Sequence, residues 1–117
     1  MKLQVQQLDH VTILSPAGDM VADASDQFRR AALEHLDQNA RDFVVDLAGL
    51  DTVDSRGLES FIWLDECATE RLGQVRLAAP PETLSTVFEI TRLQDRWPID
   101  DTVDQAVANL QVGAPVP

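Results

Sequence analysis

The apolar run from Phe43 to Leu47 places the strongest constraint on what this chain can fold into. It reads Phe-Val-Val-Asp-Leu, with charged residues before it and Ala48-Gly49 after it. A short apolar run without polar alternation is typical of a strand buried on both faces, as in parallel sheets that helices cover on both sides. The run therefore predicts an inner strand of a layered α/β domain.

The pattern on either side of this run alternates between strands and helices. The predicted strands cover residues 3–8, 11–14, 43–47, 75–79 and 97–99, and the first two form a hairpin that ends at Pro16-Ala17-Gly18. The predicted helices cover residues 21–40, the stretch from a turn at 51–55 to about 72, residues 81–91, and a segment capped by Asp101 or Thr102. This order predicts a mixed sheet of four to five strands with about four helices.

Length and composition limit the chain to one domain with few classes of partner. A chain of 117 residues suits one domain, which we assign to residues 1–112, with residues 113–117 as a loose tail. The net charge of -11 disfavours nucleic acid and anionic membrane surfaces, because both would be repelled. Cys67 is the only cysteine, and we see no metal-ligand cluster or cofactor motif, so neither a metal nor a cofactor is expected. With no signal peptide or membrane span, we expect a cytoplasmic protein.

The segment from Val44 to Glu59 carries the most informative chemistry. It runs from the buried strand through a turn to the start of a helix, and the hydroxyl of Ser55 lies at that junction. The unpaired amides and the dipole at a helix start stabilise an anion, so a phosphate on Ser55 would be tolerated. The alternative is that Asp54 or Ser55 is simply the N-cap of the helix.

This segment resembles the signature of the STAS family, in which a strand and a turn lead to an Asp-Ser-Ser-Gly-Leu helix start. Three later segments also resemble the family: residues 73–77, 87–93 and 101–106. The resemblance implies a STAS-type layered fold. In the anti-sigma factor antagonists of this family, a partner serine kinase, which is also the anti-sigma factor, phosphorylates the serine that aligns with Ser55. Arg56 replaces the second serine of the signature, and Arg92 replaces a later glycine.

From the resemblance we expect a bacterial regulatory protein that is not an enzyme. It would bind a kinase of the GHKL type and be switched off by phosphorylation of Ser55. The expected partner-binding residues are Thr52, Asp54, Ser55, Arg56, Gly57, Leu58 and Trp63. Trp63 is included because helical spacing puts it on an acidic face of the second helix, opposite the core face. The alternative is that Trp63 simply lies on the surface or is covered by a neighbouring loop.

Two other interpretations of the sequence stay open. One is a STAS subunit that is never phosphorylated and acts as a scaffold in a transport or multiprotein signalling complex. The other is a receiver-like domain with Asp46 or Asp54 as phosphoacceptor, which is disfavoured because the chain has only one lysine, Lys2. Asp65 lies in the middle of the apolar face of its helix, where a buried carboxylate is expected to need a hydrogen-bond partner or to have a raised pKa.

Overall fold

A computed structural model describes residues 1–8 and 10–112, except the side chains of Gln94, Gln111 and Val112. The strands are β1 (Lys2–Leu8), β2 (Val11–Met20), β3 (Asp42–Asp46), β4 (Leu50–Val53), β5 (Val75–Ala78) and β6 (Ile99–Asp100). The helices are α1 (Ala24–Asp37), α2 (Ser55–Glu70), α3 (Glu82–Thr91) and α4 (Val103–Val112), with a 3₁₀ turn at Leu93–Asp95. The predicted tail at 113–117 lies outside the described residues.

The strands form a mixed sheet in the order β1-β2-β3-β5-β6. β1 and β2 are an antiparallel hairpin, and the pairs β2–β3, β3–β5 and β5–β6 are all parallel. β2 is shared between two neighbours: Val11–Leu14 pairs with β3, whereas Gly18–Met20 pairs with β4. The predicted α/β class, the hairpin and the parallel inner sheet are confirmed.

The central strand β3 is buried on both faces, as its apolar run predicts. Phe43 and Val45 belong to the larger core cluster, which also contains side chains of α1, α2 and α3. Val44 belongs to a second cluster on the opposite face, under α4. Each such side chain contributes about 1.5–3 kcal/mol when it is fully withdrawn from water, so β3 anchors both layers.

Two predicted element boundaries are wrong for identifiable reasons. The pairing of the hairpin does end at Ala17, opposite Lys2, but Pro16 does not end the second strand, since β2 continues to Met20. Pro16 lies after β2 leaves β3 and before it joins β4, so only β1 is beside it and its missing amide proton costs little. Residues predicted as the turn at 51–55 instead include β4, a strand with only four residues.

The predicted end of the second helix is also wrong. α2 ends at Glu70, and Leu72 adopts the left-handed conformation with φ 63°. The side chain of Leu72 is 86% exposed, so it lies outside the core. Gly73 follows because an added Cβ would overlap the carbonyl of Arg41, which leaves room for glycine alone.

The predicted need of Asp65 for a partner is met by an ion pair. The guanidinium Nε of Arg96 donates to Asp65 Oδ2 at 3.1 Å and so links α2 to the segment after the 3₁₀ turn. The same guanidinium lies over the ring of Trp97, 5.7 Å from its centroid, and Trp97 itself is buried.

At the last helix, Thr102 rather than Asp101 provides the cap, because its hydroxyl accepts the amide proton of Gln105 at 3.1 Å.

Arg92 occupies a backbone position that favours glycine. It is the C-cap of α3 and adopts the left-handed conformation with φ 58°. A side chain in this conformation crowds the following carbonyl group, a cost that glycine avoids. The left-handed backbone at this position therefore explains why the STAS resemblance implies a glycine here.

We expect Arg92→Gly to stabilise the domain by about 0.5–1 kcal/mol, after allowing for the greater freedom of glycine in the unfolded chain. Urea unfolding measures the change. Ile90→Gly is the matched control, because Ile90 is exposed but lies within the helix. The control should be destabilised by about 0.5 kcal/mol. A loss of stability in Arg92→Gly would contradict this account of position 92.

Candidate functional site

The predicted site lies where β4 enters α2, beside the end of β2. The amide of Asp54 donates to the carbonyl of Met20 at 3.1 Å. The hydroxyl of Thr52 donates to Asp19 Oδ1 at 2.8 Å. These two bonds fix the start of α2 against β2, although the paired residues are more than thirty positions apart.

Asp54 is the N-cap of α2, which decides between the two capping residues considered from the sequence. Its Oδ1 accepts the amide proton of Gly57 at 2.9 Å, as an N-cap does. Its Oδ2 accepts a second amide proton, from Ala22 in the loop before α1, at 3.0 Å. The hydrogen bonds from Gly57 and Ala22 lower the pKa of the Asp54 carboxyl group, because they stabilise its ionised form.

Ser55 is the first residue of α2 and is exposed to solvent. Because Asp54 provides the cap, the hydroxyl of Ser55 is not needed to close the helix end. Among the hydrogen bonds of the described residues, none engages this hydroxyl. Arg56 follows in the same first turn and is also exposed. The structure thus presents a hydroxyl at a helix start with a guanidinium group on the next residue.

Gly57 is buried and allows α2 to lie close to the strands beneath it. A Cβ at this position would lie 2.5 Å from Cγ2 of Val53 and 3.2 Å from the carbonyl oxygen of Met20. The carbonyl of Gly57 also accepts a hydrogen bond from the hydroxyl of Ser60 at 2.6 Å. Leu58 is half-buried against the larger core cluster. Both residues therefore position the first turn of α2 from below.

Helical spacing predicts that Trp63 lies on an open acidic face, but in the structure this face is not open. Trp63 is half-buried and packs against the larger core cluster, and the guanidinium of Arg29 from α1 lies 5.6 Å from the centroid of its ring. α1 runs beside α2, with the rings of Phe28 and Phe61 in an edge-to-face contact at 5.3 Å. The predicted face is therefore covered in part by the neighbouring helix.

The segments that meet at the start of α2 carry exposed acidic side chains. Asp19, Asp23 and Asp51 are all exposed in the segments that meet there, in addition to the capping Asp54. Asp19 and Ala22 were not identified from the sequence. Their contacts with Thr52 and Asp54 depend on strand pairing, and no local pattern reports such pairing.

Asp46, considered above as an alternative phosphoacceptor, lies at the end of β3. Its carboxylate accepts hydrogen bonds from the hydroxyl of Ser15 at 3.3 Å and from the amide of Ala48 at 3.1 Å.

Among the residues that the structure describes, no three His, Cys, Asp or Glu side chains are grouped so that they could hold a metal ion. In the same part of the chain, no helix has both the length and the apolar character needed to cross a membrane.

Comparison with known proteins identifies the family. The model of the STAS domain matches residues 2–106, which is most of the chain. The chain belongs to the STAS domain family. No curated protein matches this STAS domain in sequence.

Solved structures share the fold of this STAS domain at low sequence identity. The protein TM1081 from Thermotoga maritima has a TM-score of 0.87 at 20% identity, over 93% of this chain and 94% of that chain. An anti-sigma factor antagonist from Mycobacterium paratuberculosis has a TM-score of 0.84 at 19% identity, over 94% and 93%. The Bacillus cell fate determinant SpoIIAA in its phosphorylated form has a TM-score of 0.75 at 20% identity, over 92% and 98%.

The two hydrogen bonds to Asp54 predict an effect of pH on stability. Its pKa is lowered in the folded state, so its contribution is complete above the unfolded pKa of about 3.9 and is lost as the pH falls through the folded pKa. In Asp54→Asn, the amide keeps the cap to Gly57 but turns an N–H group toward the amide of Ala22. We expect this variant to be less stable than the wild type at neutral pH.

That difference in the free energy of unfolding should shrink as the pH falls below about 4, since protonated Asp54 also loses its charge. Urea unfolding of both proteins between neutral pH and about pH 3 tests this. A difference that stays constant over the whole range would contradict the assigned role of Asp54.

The close approach at Gly57 predicts a cost for any side chain at that position. We expect Gly57→Ala to destabilise the STAS domain by about 1–3 kcal/mol, because the added methyl group overlaps Val53. Shortening the neighbour in a Gly57→Ala/Val53→Ala double variant should recover part of this loss. A double-mutant cycle from urea unfolding measures the coupling. Strictly additive effects would show that Val53 is not the obstacle.

Proposed function

We propose that this STAS domain is an anti-sigma factor antagonist. In this proposal, the unmodified protein binds an anti-sigma factor that is a serine kinase of the GHKL type, and phosphorylation of Ser55 by that kinase breaks the contact. Family membership and the structural likeness to anti-sigma factor antagonists support the general role. The proposed phosphorylation rests on one observation. Asp54 caps α2, so the exposed hydroxyl of Ser55 is not needed as a cap and is accessible to a kinase.

The proposed docking surface is the first turn of α2 with the end of β4. Its exposed members are Thr52, Ser55 and Arg56, and the buried Gly57 and half-buried Leu58 hold them in place. Asp54 acts through the two hydrogen bonds that fix the backbone of the turn. A turn fixed in this way needs little reordering when a partner binds, which limits the entropic cost of the complex.

Trp63 contributes to the proposed surface only through the part of its ring that remains in solvent. The other part packs beside Arg29 on α1. We therefore assign the centre of the contact to the first turn of α2 and place Trp63 at its margin.

Phosphorylation changes the charge of this surface sharply. A phosphoserine carries about -1.5 to -2 charges at neutral pH, and it would follow Asp54 directly, with exposed Asp19 and Asp51 in the two strands that lead to this turn. In the free domain, water and the positive end of α2 accommodate this charge. At an interface the dianion would have to lose its water, and each 1.4 kcal/mol of that penalty weakens binding about tenfold.

Arg56 gives this domain a feature that the family signature lacks. A guanidinium forms strong, bidentate hydrogen bonds with phosphate, and Arg56 stands next to Ser55 in the same turn. In the proposal, Arg56 pairs with the phosphoserine and holds it against the helix start. The guanidinium would then be withdrawn from the partner at the same time as the new charge appears.

We expect one phosphoryl group to be added to the wild-type protein by the cognate GHKL-type kinase with ATP, and none to Ser55→Ala. Intact-protein mass spectrometry measures the transfer. Thr69→Ala is the matched control, because Thr69 also carries an exposed hydroxyl on α2 but lies in its last turn, outside the proposed docking surface. It should accept the phosphoryl group as the wild type does.

Binding to the same kinase completes the test. The phosphorylated protein should bind at least about tenfold more weakly than the unmodified protein, as measured by calorimetry. Phosphorylation of Ser55→Ala, or equal affinity of the two forms, would refute the switch. Co-purification with a transporter or signalling complex, without any modification of Ser55, would instead support the scaffold function.

A further inference from the structure

β1 is an open edge of the sheet. Within the described residues, β1 pairs with β2 alone, along the full register from Lys2 opposite Ala17 to Leu8 opposite Val11. Its outer side presents backbone N–H and C=O groups that another strand could pair with. The opposite edge of the sheet, β6, has only two residues and follows Pro98, so it offers little to a partner.

The edge at β1 lacks most of the features that normally prevent strand pairing. Proteins protect long edges with proline, bulges or charged side chains. β1 has seven residues, no proline and no register shift, and Lys2 is its only charged residue. Val5 and Leu8 are among the exposed large apolar side chains, at 38% and 41%. The edge is therefore able to accept a strand.

The charge distribution favours a second copy of this chain as that strand. The chain carries 20 acidic residues and a net charge of -11, so most faces of two copies would repel each other. Residues 2–8 contain no carboxylate. Two copies that meet at β1 therefore bring no acidic side chains of the strands together, and their exposed apolar side chains are covered in the process.

We propose that β1 is a self-association surface, through which two copies join their sheets by antiparallel β1–β1 pairing about a two-fold axis. Centred on Val5, the pairing places Val5 opposite Val5 of the partner subunit. It places Gln4 opposite Gln6 of the partner subunit, where the two amides can bond, and it keeps the two Lys2 side chains apart. This surface is separate from the start of α2 and does not depend on the proposed phosphorylation.

The proposed contact predicts an unusual response to salt. Each copy carries a net charge of -11, and the contact itself contains no ion pair between strands. Salt at physiological strength screens charges over about 8 Å and so reduces the repulsion between the two copies. The dimer should therefore become stronger as salt is added, whereas a contact held by ion pairs would become weaker.

Analytical ultracentrifugation of the full chain over a range of protein and salt concentrations tests the proposal. We expect a monomer–dimer equilibrium that shifts toward dimer with salt. In Gln4→Glu/Gln6→Glu, carboxylates face each other twice across the two-fold axis, which should raise the dissociation constant about tenfold. In Gln4→Lys/Gln6→Glu, opposite charges face each other at the same positions, so the dimer should be retained.

A second control separates local from general repulsion. Gln27→Glu/Gln105→Glu adds the same net charge at exposed positions of α1 and α4, away from β1, and should change the dissociation constant much less. A wild-type protein that stays monomeric at all concentrations would overturn the proposal. Equal weakening of the dimer by Gln4→Glu/Gln6→Glu and by Gln4→Lys/Gln6→Glu would also overturn it. Pairing of β1 with a strand of another protein, in place of a second copy, would overturn it too. Circular dichroism confirms that each variant is folded.

Discussion

The carboxylate of Asp54 holds together the three segments from which the candidate site is made. One oxygen caps α2 through Gly57, and the other bonds the loop before α1 through Ala22. The backbone of Asp54 adds a third bond, to Met20 at the end of β2. Because this residue does the capping, the neighbouring Ser55 is left exposed to solvent and is not needed as a cap. The chemistry proposed for the site is thus a consequence of which of two adjacent polar residues closes the helix.

The division of β2 between two parallel neighbours determines where that site can form. The strand leaves β3 after Leu14 and joins β4 at Gly18, so the sheet opens beyond the end of β3. The short β4 fills this opening and delivers the chain directly to α2. Gly57 then lets the first turn of the helix lie against Val53 without a gap. The start of α2 is therefore supported by strands on its inner side and open to solvent on its outer side.

Sequence alone predicts the elements whose signal is local. The apolar run of β3 and the helical spacing of α1, α2 and α3 identify those elements, and the signature segment identifies Ser55. β4 was missed because Leu-Asp-Thr-Val has two exposed polar residues in the middle and is stabilised by pairing with a distant strand. The element that covers part of Trp63 could not be identified for a related reason, since the covering depends on how α1 lies beside α2. The hydrogen bond from Gly57 to Asp54 could be predicted, because an N-cap bonds within its own helix turn, whereas the bond from Ala22, 32 residues away, could not.

The two tryptophans of this chain are in different environments, and that gives the molecule two distinct optical reporters. Each ring has a guanidinium group close to it, but Trp63 is half-buried between α1 and α2, whereas Trp97 is buried in the core. Their indole fluorescence should accordingly differ in emission wavelength and in access to a soluble quencher such as acrylamide. A change in the fluorescence of Trp63 alone would report a structural change between α1 and α2 while the core around Trp97 stays intact.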